Sequence, residues 1–231
     1  MTRVLIPVFL LLSLLNLYAE QQDHETLIFI SKPLLLTTLS LWFYLQVRPL
    51  RIKTARFILA GLLFSIGGDT LLMFVENGPK DEKFFLLGLG SFLLAQVCYL
   101  LGFIYYPGSK TGSVAQKPAW AIPFVVYLIG IMSLLWPNIP GPMRLPVGVY
   151  SLAIVGMATA AFNLRPLLLP KVFWGLMAGV LLFVLSDSLI ALNRFMGDAI
   201  SIPFPRVSIM LTYLLGQYLI ASRATFFVRT N

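Results

Sequence analysis

The stretch Phe57-Ile-Leu-Ala-Gly-Leu-Leu-Phe-Ser-Ile-Gly-Gly-Asp69-Thr-Leu-Leu-Met-Phe-Val75 decides the fold. It is apolar throughout except for one carboxylate, and it approaches the ~20 residues that a helix needs to cross a hydrocarbon core. A lone Asp at such depth costs about 3 kcal/mol, so it is expected to face the interior of a helical bundle rather than lipid. A second stretch repeats the theme. Phe183-Val-Leu-Ser-Asp187-Ser-Leu-Ile-Ala-Leu-Asn193-Arg194-Phe195 again sets one Asp inside a long apolar run.

Working outward, apolar runs fall at about 4–18, 27–47, 55–75, 84–106, 118–136, 145–164, 171–193 and 205–227. Short polar or Pro/Gly-rich breaks separate them, which implies antiparallel neighbours. The expected architecture is all-α: one transmembrane domain over 1–231, a bundle of about eight membrane-spanning helices. Composition agrees, because 58% of residues are hydrophobic and 11% charged, against about 25% charged in a soluble domain.

The net charge of +8 does not point to nucleic acid, since the basic residues are scattered at the ends of apolar runs. Orientation explains them better. The break holding Arg48, Arg51, Lys53 and Arg56 is the most basic and is expected to be cytoplasmic, which puts both termini inside. The N-terminal run lacks a convincing small-residue cleavage site and reads as a retained first helix. Short loops and the absence of a eukaryotic targeting tail suit a bacterial inner membrane. One cysteine, Cys98, and one histidine, His24, exclude an internal disulfide and a histidine-rich metal site, so metal-hydrolase chemistry is not expected.

The two halves echo each other. Gly68-Asp69-Thr-Leu-Leu matches Ser186-Asp187-Ser-Leu-Ile, and Phe92-Leu-Leu-Ala-Gln96 matches Tyr213-Leu-Leu-Gly-Gln217. The echo suggests two four-helix halves related by an axis along the membrane normal, with a site between them. Chance similarity between apolar helices gives the same echo, so the repeat stays open.

At ~1.5 Å per residue, Asp69 and Asp187 lie about 20 and 24 Å from the cytoplasmic edge, and Lys32 lies roughly 10 Å deep from the other side. Three elements thus supply charge at one level. Ion pairs that merely hold helices together are the plain alternative. Small neighbours such as Gly67, Gly68, Ser186 and Ser188 allow close helix approach, which serves either reading. Gln96, Gln217, Asn163 and Tyr213 are polar positions that either glue helices together or line a polar cavity. Arg194 and Arg206 flank the last break, where guanidinium groups hold a lipid phosphate or snorkel to the interface.

These residues carry a resemblance. The runs around Asp69 and Asp187 resemble the YhhN-like lysoplasmalogenases, and Lys32-Pro33, Val147-Gly-Val-Tyr150 and Tyr213-Leu-Leu-Gly-Gln217 are similar to family positions in the same order. Where some members have a histidine in the pattern Phe-x-x-x-His-x-x-Tyr, this chain has Phe92, Gln96 and Tyr99. The resemblance implies hydrolysis of the sn-1 vinyl ether of lysoplasmalogen to a fatty aldehyde and a glycerophospho-ethanolamine or glycerophospho-choline, without a cofactor.

A vinyl ether hydrolyses by protonation of the alkene carbon remote from its oxygen, so the slow step needs an acid, and a second carboxylate stabilises the cation and activates water. Asp69 and Asp187 are the expected pair, with Lys32 separating their roles. Asn193, Arg194 and Arg206 are expected to bind the headgroup, and Tyr150, Tyr213, Gln217 and Gln96 to line the substrate site. Two other readings use the same buried charges: a proton- or solute-coupled transporter, and a non-catalytic lipid-binding protein.

Overall fold

In the computed structural model, residues 2–76, 82–197 and 199–229 are described, without the side chains of 76, 82 and 227–229. The expected break between the third and fourth runs lies largely outside them, at 77–81. The described residues form helices α1 (Thr2–Gln21), α2 (Glu25–Val47), α3 (Lys53–Glu76), α4 (Glu82–Ile104), α5 (Ser113–Gln116), α6 (Ile122–Leu135), α7 (Gly141–Asn163), α8 (Pro170–Met196) and α9 (Pro205–Arg229), with no strand among them.

Seven of these segments are long and apolar enough to cross a membrane, α6 counting with the 3₁₀ turns at its two ends. The expected eighth, α9, runs the same distance but carries more polar side chains: Arg206, Gln217 and Arg223 interrupt it. It packs against α1, α2, α3 and α8, so protein rather than lipid receives much of its surface. The result is a multi-pass helical bundle.

Element edges shift from expectation in two informative places. α8 continues to Met196, so Arg194, expected to open the break, stands on its last turn with Asn193. The break after α4 is ordered: a 3₁₀ turn at Ser109–Thr111 and the one-turn α5 are tied down by Asn163, which bonds Ser109 O at 2.7 Å and Ala115 N at 3.0 Å. Asn163 holds this connection; it is not interhelical glue within the bundle.

Two hairpins dominate the packing, α3 on α4 and α8 on α9. Glycine permits both approaches. A Cβ on Gly61 would lie 2.6 Å from the Tyr99 ring, and one on Gly179 would lie 2.9 Å from Ile220 N and 3.0 Å from Gly216 O. The contacts also follow the exchange that two related halves require, for α4 packs on α7 and α9 packs on α2. The symmetry breaks at one helix. α1 packs on both α2 and α9, whereas α6 leans on α7 and α8 with only Leu135 buried, leaving a gap toward α4.

Candidate active site

That gap is an apolar cavity, walled by α4, α6, α7 and α8, with Leu72 of α3. Its wall is almost wholly Leu, Ile, Val and Phe, and the polar exceptions are Tyr127, Tyr150, Ser151, Asp187 and Ser188.

Asp187 is held there by three helices. Tyr150 of α7 donates its hydroxyl to Oδ2 at 2.5 Å, and Gln96 of α4 donates Nε2 to the same oxygen at 3.4 Å. Both bonds go to Oδ2, and Oδ1 takes neither. On either side in sequence, Ser186 donates to Ile209 O of α9 at 3.1 Å, and Ser188 donates to Val184 O at 2.6 Å. Because the Ser188 hydrogen is used on Val184, the 2.5 Å contact with Tyr127 has Tyr127 as its donor. This bond clasps the sparsely packed α6 to α8 one residue from the carboxylate.

Asp69 belongs to a neighbouring network. Tyr213 of α9 donates to Asp69 Oδ2 at 2.9 Å, and one turn further on Gln217 accepts from Tyr99 at 2.6 Å and donates to Ser65 at 3.0 Å. A row of rings adjoins this network: Tyr213 contacts Phe92 at 5.9 Å and Phe183 at 5.5 Å, and Phe183 contacts Tyr99 at 6.3 Å between ring centroids. Phe92 also lines the cavity, whereas Asp69, Tyr213, Gln217 and Gln96 do not. The expected pair therefore meets the cavity through one carboxylate only.

The other expected residues divide by location. Lys32 forms an ion pair with Glu20 at 3.0 Å, both side chains being almost wholly buried. Glu20 also receives Arg206 Nε at 2.7 Å, and Arg206 Nη1 reaches Asp23 at 2.8 Å. Lys32 and Arg206 thus join α1, α2 and α9, away from the cavity, in the space of the first half that corresponds to the cavity of the second. Asn193 and Arg194 are exposed at the end of α8, with Arg194 over the Phe85 ring. Sequence reading missed Glu20, placed near the end of the first run, and Tyr127, which no local pattern distinguishes from an interfacial aromatic. Among the described residues no group of three or more His, Cys, Asp and Glu side chains is placed to hold a metal ion.

With this geometry in hand, comparison with known proteins is informative. The YhhN family profile matches residues 27–224. The lysoplasmalogenase TMEM86A of Bos taurus is 32% identical over 194 residues, covering 80% of this chain and 73% of that protein. The TMEM86A of Homo sapiens is 31% identical over 192 residues, with the same coverage. A lysoplasmalogenase of Mycobacterium bovis is 29% identical over 154 residues, 65% of this chain and 55% of that protein. No solved structure matches.

Proposed function

The chain belongs to the YhhN family, and from that premise we propose that it is a membrane hydrolase of lysoplasmalogen, cleaving the sn-1 vinyl ether to a fatty aldehyde and a glycerophosphodiester. The observation that carries the reading is Asp187, set in the wall of an apolar cavity with one oxygen fixed by Tyr150 and Gln96 and the other taking no bond from them.

The acid form of Asp187 donates its proton to the alkene carbon remote from the ether oxygen, and that oxygen shares the resulting positive charge on its neighbouring carbon as an oxocarbenium ion. The carboxylate left behind stabilises that cation, then accepts a proton from the water that adds to the carbon bearing the ether oxygen. The hemiacetal collapses, with its C–O bond breaking to give the aldehyde and the free glycerol hydroxyl. One water is consumed and the proton returns to Asp187. Acid and base are thus one carboxyl used in turn, as microscopic reversibility allows.

Tyr150 and Gln96 hold the side chain in place. Asp69 acts through the row of rings, fixing Tyr213 against Phe92 and so shaping the cavity wall. The alkenyl chain lies along the Leu, Ile and Val lining between α6 and α7.

The test supplies purified protein in detergent with lysoplasmalogen and, as control, the saturated alkyl-ether lysolipid, and measures aldehyde. Aldehyde from the vinyl ether alone, reduced about 10²- to 10⁴-fold in Asp187→Asn, is the expected result. Undiminished turnover in folded Asp187→Asn would sink the mechanism. No aldehyde from wild-type protein, with solute flux into proteoliposomes instead, would favour a transporter.

A further inference from the structure

Two arginines, Arg144 in the first turns of α7 and Arg194 in the last turn of α8, pair with no carboxylate among the described residues. Arg194 Cζ lies 4.6 Å from the centroid of the Phe85 ring, and Arg144 Cζ lies 5.3 Å from that of Trp136. Phe85 lines the cavity, and Trp136 directly follows Leu135, which also lines it. Arg144 spends Nε on Ile139 O at 3.2 Å, which leaves its two terminal amino groups for other partners. Arg206, at the same end of the bundle, is committed to Glu20 and Asp23.

Stacking on an aromatic face fixes a guanidinium plane and leaves its edge N–H groups pointing outward, the arrangement that grips a phosphate with two parallel hydrogen bonds. The two arginines are also set at matching distances from the acid. Arg194 lies about two turns beyond Asp187 on α8, roughly 10 Å along the axis, and Arg144 lies about 9 Å before Tyr150 on the antiparallel α7. Since Tyr150 donates to Asp187, the two rises end at residues joined by one hydrogen bond. In a 1-alkenyl glycerophospholipid the phosphorus and the alkene carbon remote from the ether oxygen are separated by a short extended chain of about 8 Å, at ~1.5 Å per bond less the zig-zag.

We propose that Arg144 and Arg194 form a phosphate clamp at the cavity mouth that places the vinyl ether of a lysophospholipid beside Asp187. The proposal rests on the lysoplasmalogen reading above and names what selects the phospholipid over a headgroup-free ether lipid. Arg144 is the unexpected partner. The clamp sets specificity and position and takes no part in the proton transfer.

Binding separates the clamp from the chemistry. Full-length protein in detergent is titrated calorimetrically with a saturated 1-alkyl lysophospholipid, which cannot be hydrolysed, and with the matching 1-alkyl glycerol, which lacks phosphate. Wild-type protein should prefer the phospholipid at least tenfold, and Arg144→Gln and Arg194→Gln should each remove about tenfold of that affinity while leaving the alkyl glycerol unchanged. In turnover the same variants should raise KM for lysoplasmalogen with kcat nearly intact. Arg165→Gln is the matched control, because Arg165 also lies over a tryptophan, Trp120, but at the opposite end of the bundle. It should change neither ligand.

Equal loss of both ligands in the Arg144 and Arg194 variants, as for side chains that only snorkel, overturns the clamp, and so does a wild-type protein indifferent to the phosphate. Discrimination in binding without any aldehyde from lysoplasmalogen keeps the clamp and removes the hydrolase reading. Aldehyde without discrimination does the reverse.

Discussion

At the scale of the residue, the two carboxylates that look alike in sequence occupy unlike surroundings. Asp187 meets a cavity and is bonded by Tyr150 and Gln96; Asp69 meets Tyr213 beside a row of rings. Their substitutions should therefore differ in kind. Tyr150→Phe keeps the ring but removes the donor to Oδ2, and kcat should fall about tenfold, the worth of one hydrogen bond to a charged group, with little change in KM. Asp69→Asn should keep a measurable fraction of turnover, and its loss should appear chiefly as a lower thermal midpoint. If Asp69→Asn abolishes aldehyde release at unchanged midpoint, Asp69 reaches the reacting atoms after all. Both aspartates were legible in the sequence because charge in an apolar run stands out. Their inequality was not, since it depends on which of them the packing turns toward the cavity.

At the scale of the element, α8 and α9 approach backbone to backbone at Gly179 and Gly216. Any side chain there must push main chain rather than a flexible tip. Gly179→Val should cost about 1–3 kcal/mol by overpacking and lower the detergent-denaturation midpoint; an unchanged midpoint would mean that the hairpin is not held at this point. A second junction is ionic. Glu20, with Lys32 and Arg206 on it, ties α1 to α2 and α9 from a fully buried position. Removing one partner of a buried pair strands the other, so Glu20→Gln should destabilise by about 3–5 kcal/mol, whereas the double replacement Glu20→Leu with Lys32→Met should recover much of it. Denaturation of the three proteins side by side measures this. Sequence placed Lys32 at the level of the two aspartates because depth along a helix can be counted, while the azimuth that brings it to Glu20 cannot.

At the scale of the whole molecule, the bundle is two similar helical hairpins and two unlike outer helices. α1 is cemented into the first half by charge, and α6 is attached to the second chiefly by its neighbours α7 and α8 and by the Tyr127–Ser188 bond, leaving room for the cavity. Orientation is open to direct measurement: with Cys98 replaced by Ala, a cysteine introduced at Arg51 and one introduced at Ser201 should be labelled from opposite faces of sealed vesicles, Arg51 from the cytoplasmic one. Labelling of both from one face would contradict the antiparallel order. The amino-acid sequence by itself determined that the chain lives in lipid, that it is a helical bundle, roughly where each helix begins and ends, and that Asp69 and Asp187 stand inside apolar helices. Those follow from local quantities, the length and polarity of each run, because lipid forbids unpaired backbone and makes every helix close its own hydrogen bonds. Only the tertiary structure decided that Asp187 lines a cavity and Asp69 does not, that Lys32 and Arg206 both pair with Glu20, and that Arg144 and Arg194 each lie over an aromatic ring. In a helix apolar on nearly all sides no stripe marks the inward face, so the rotation of each helix about its axis is set by the neighbours it packs against.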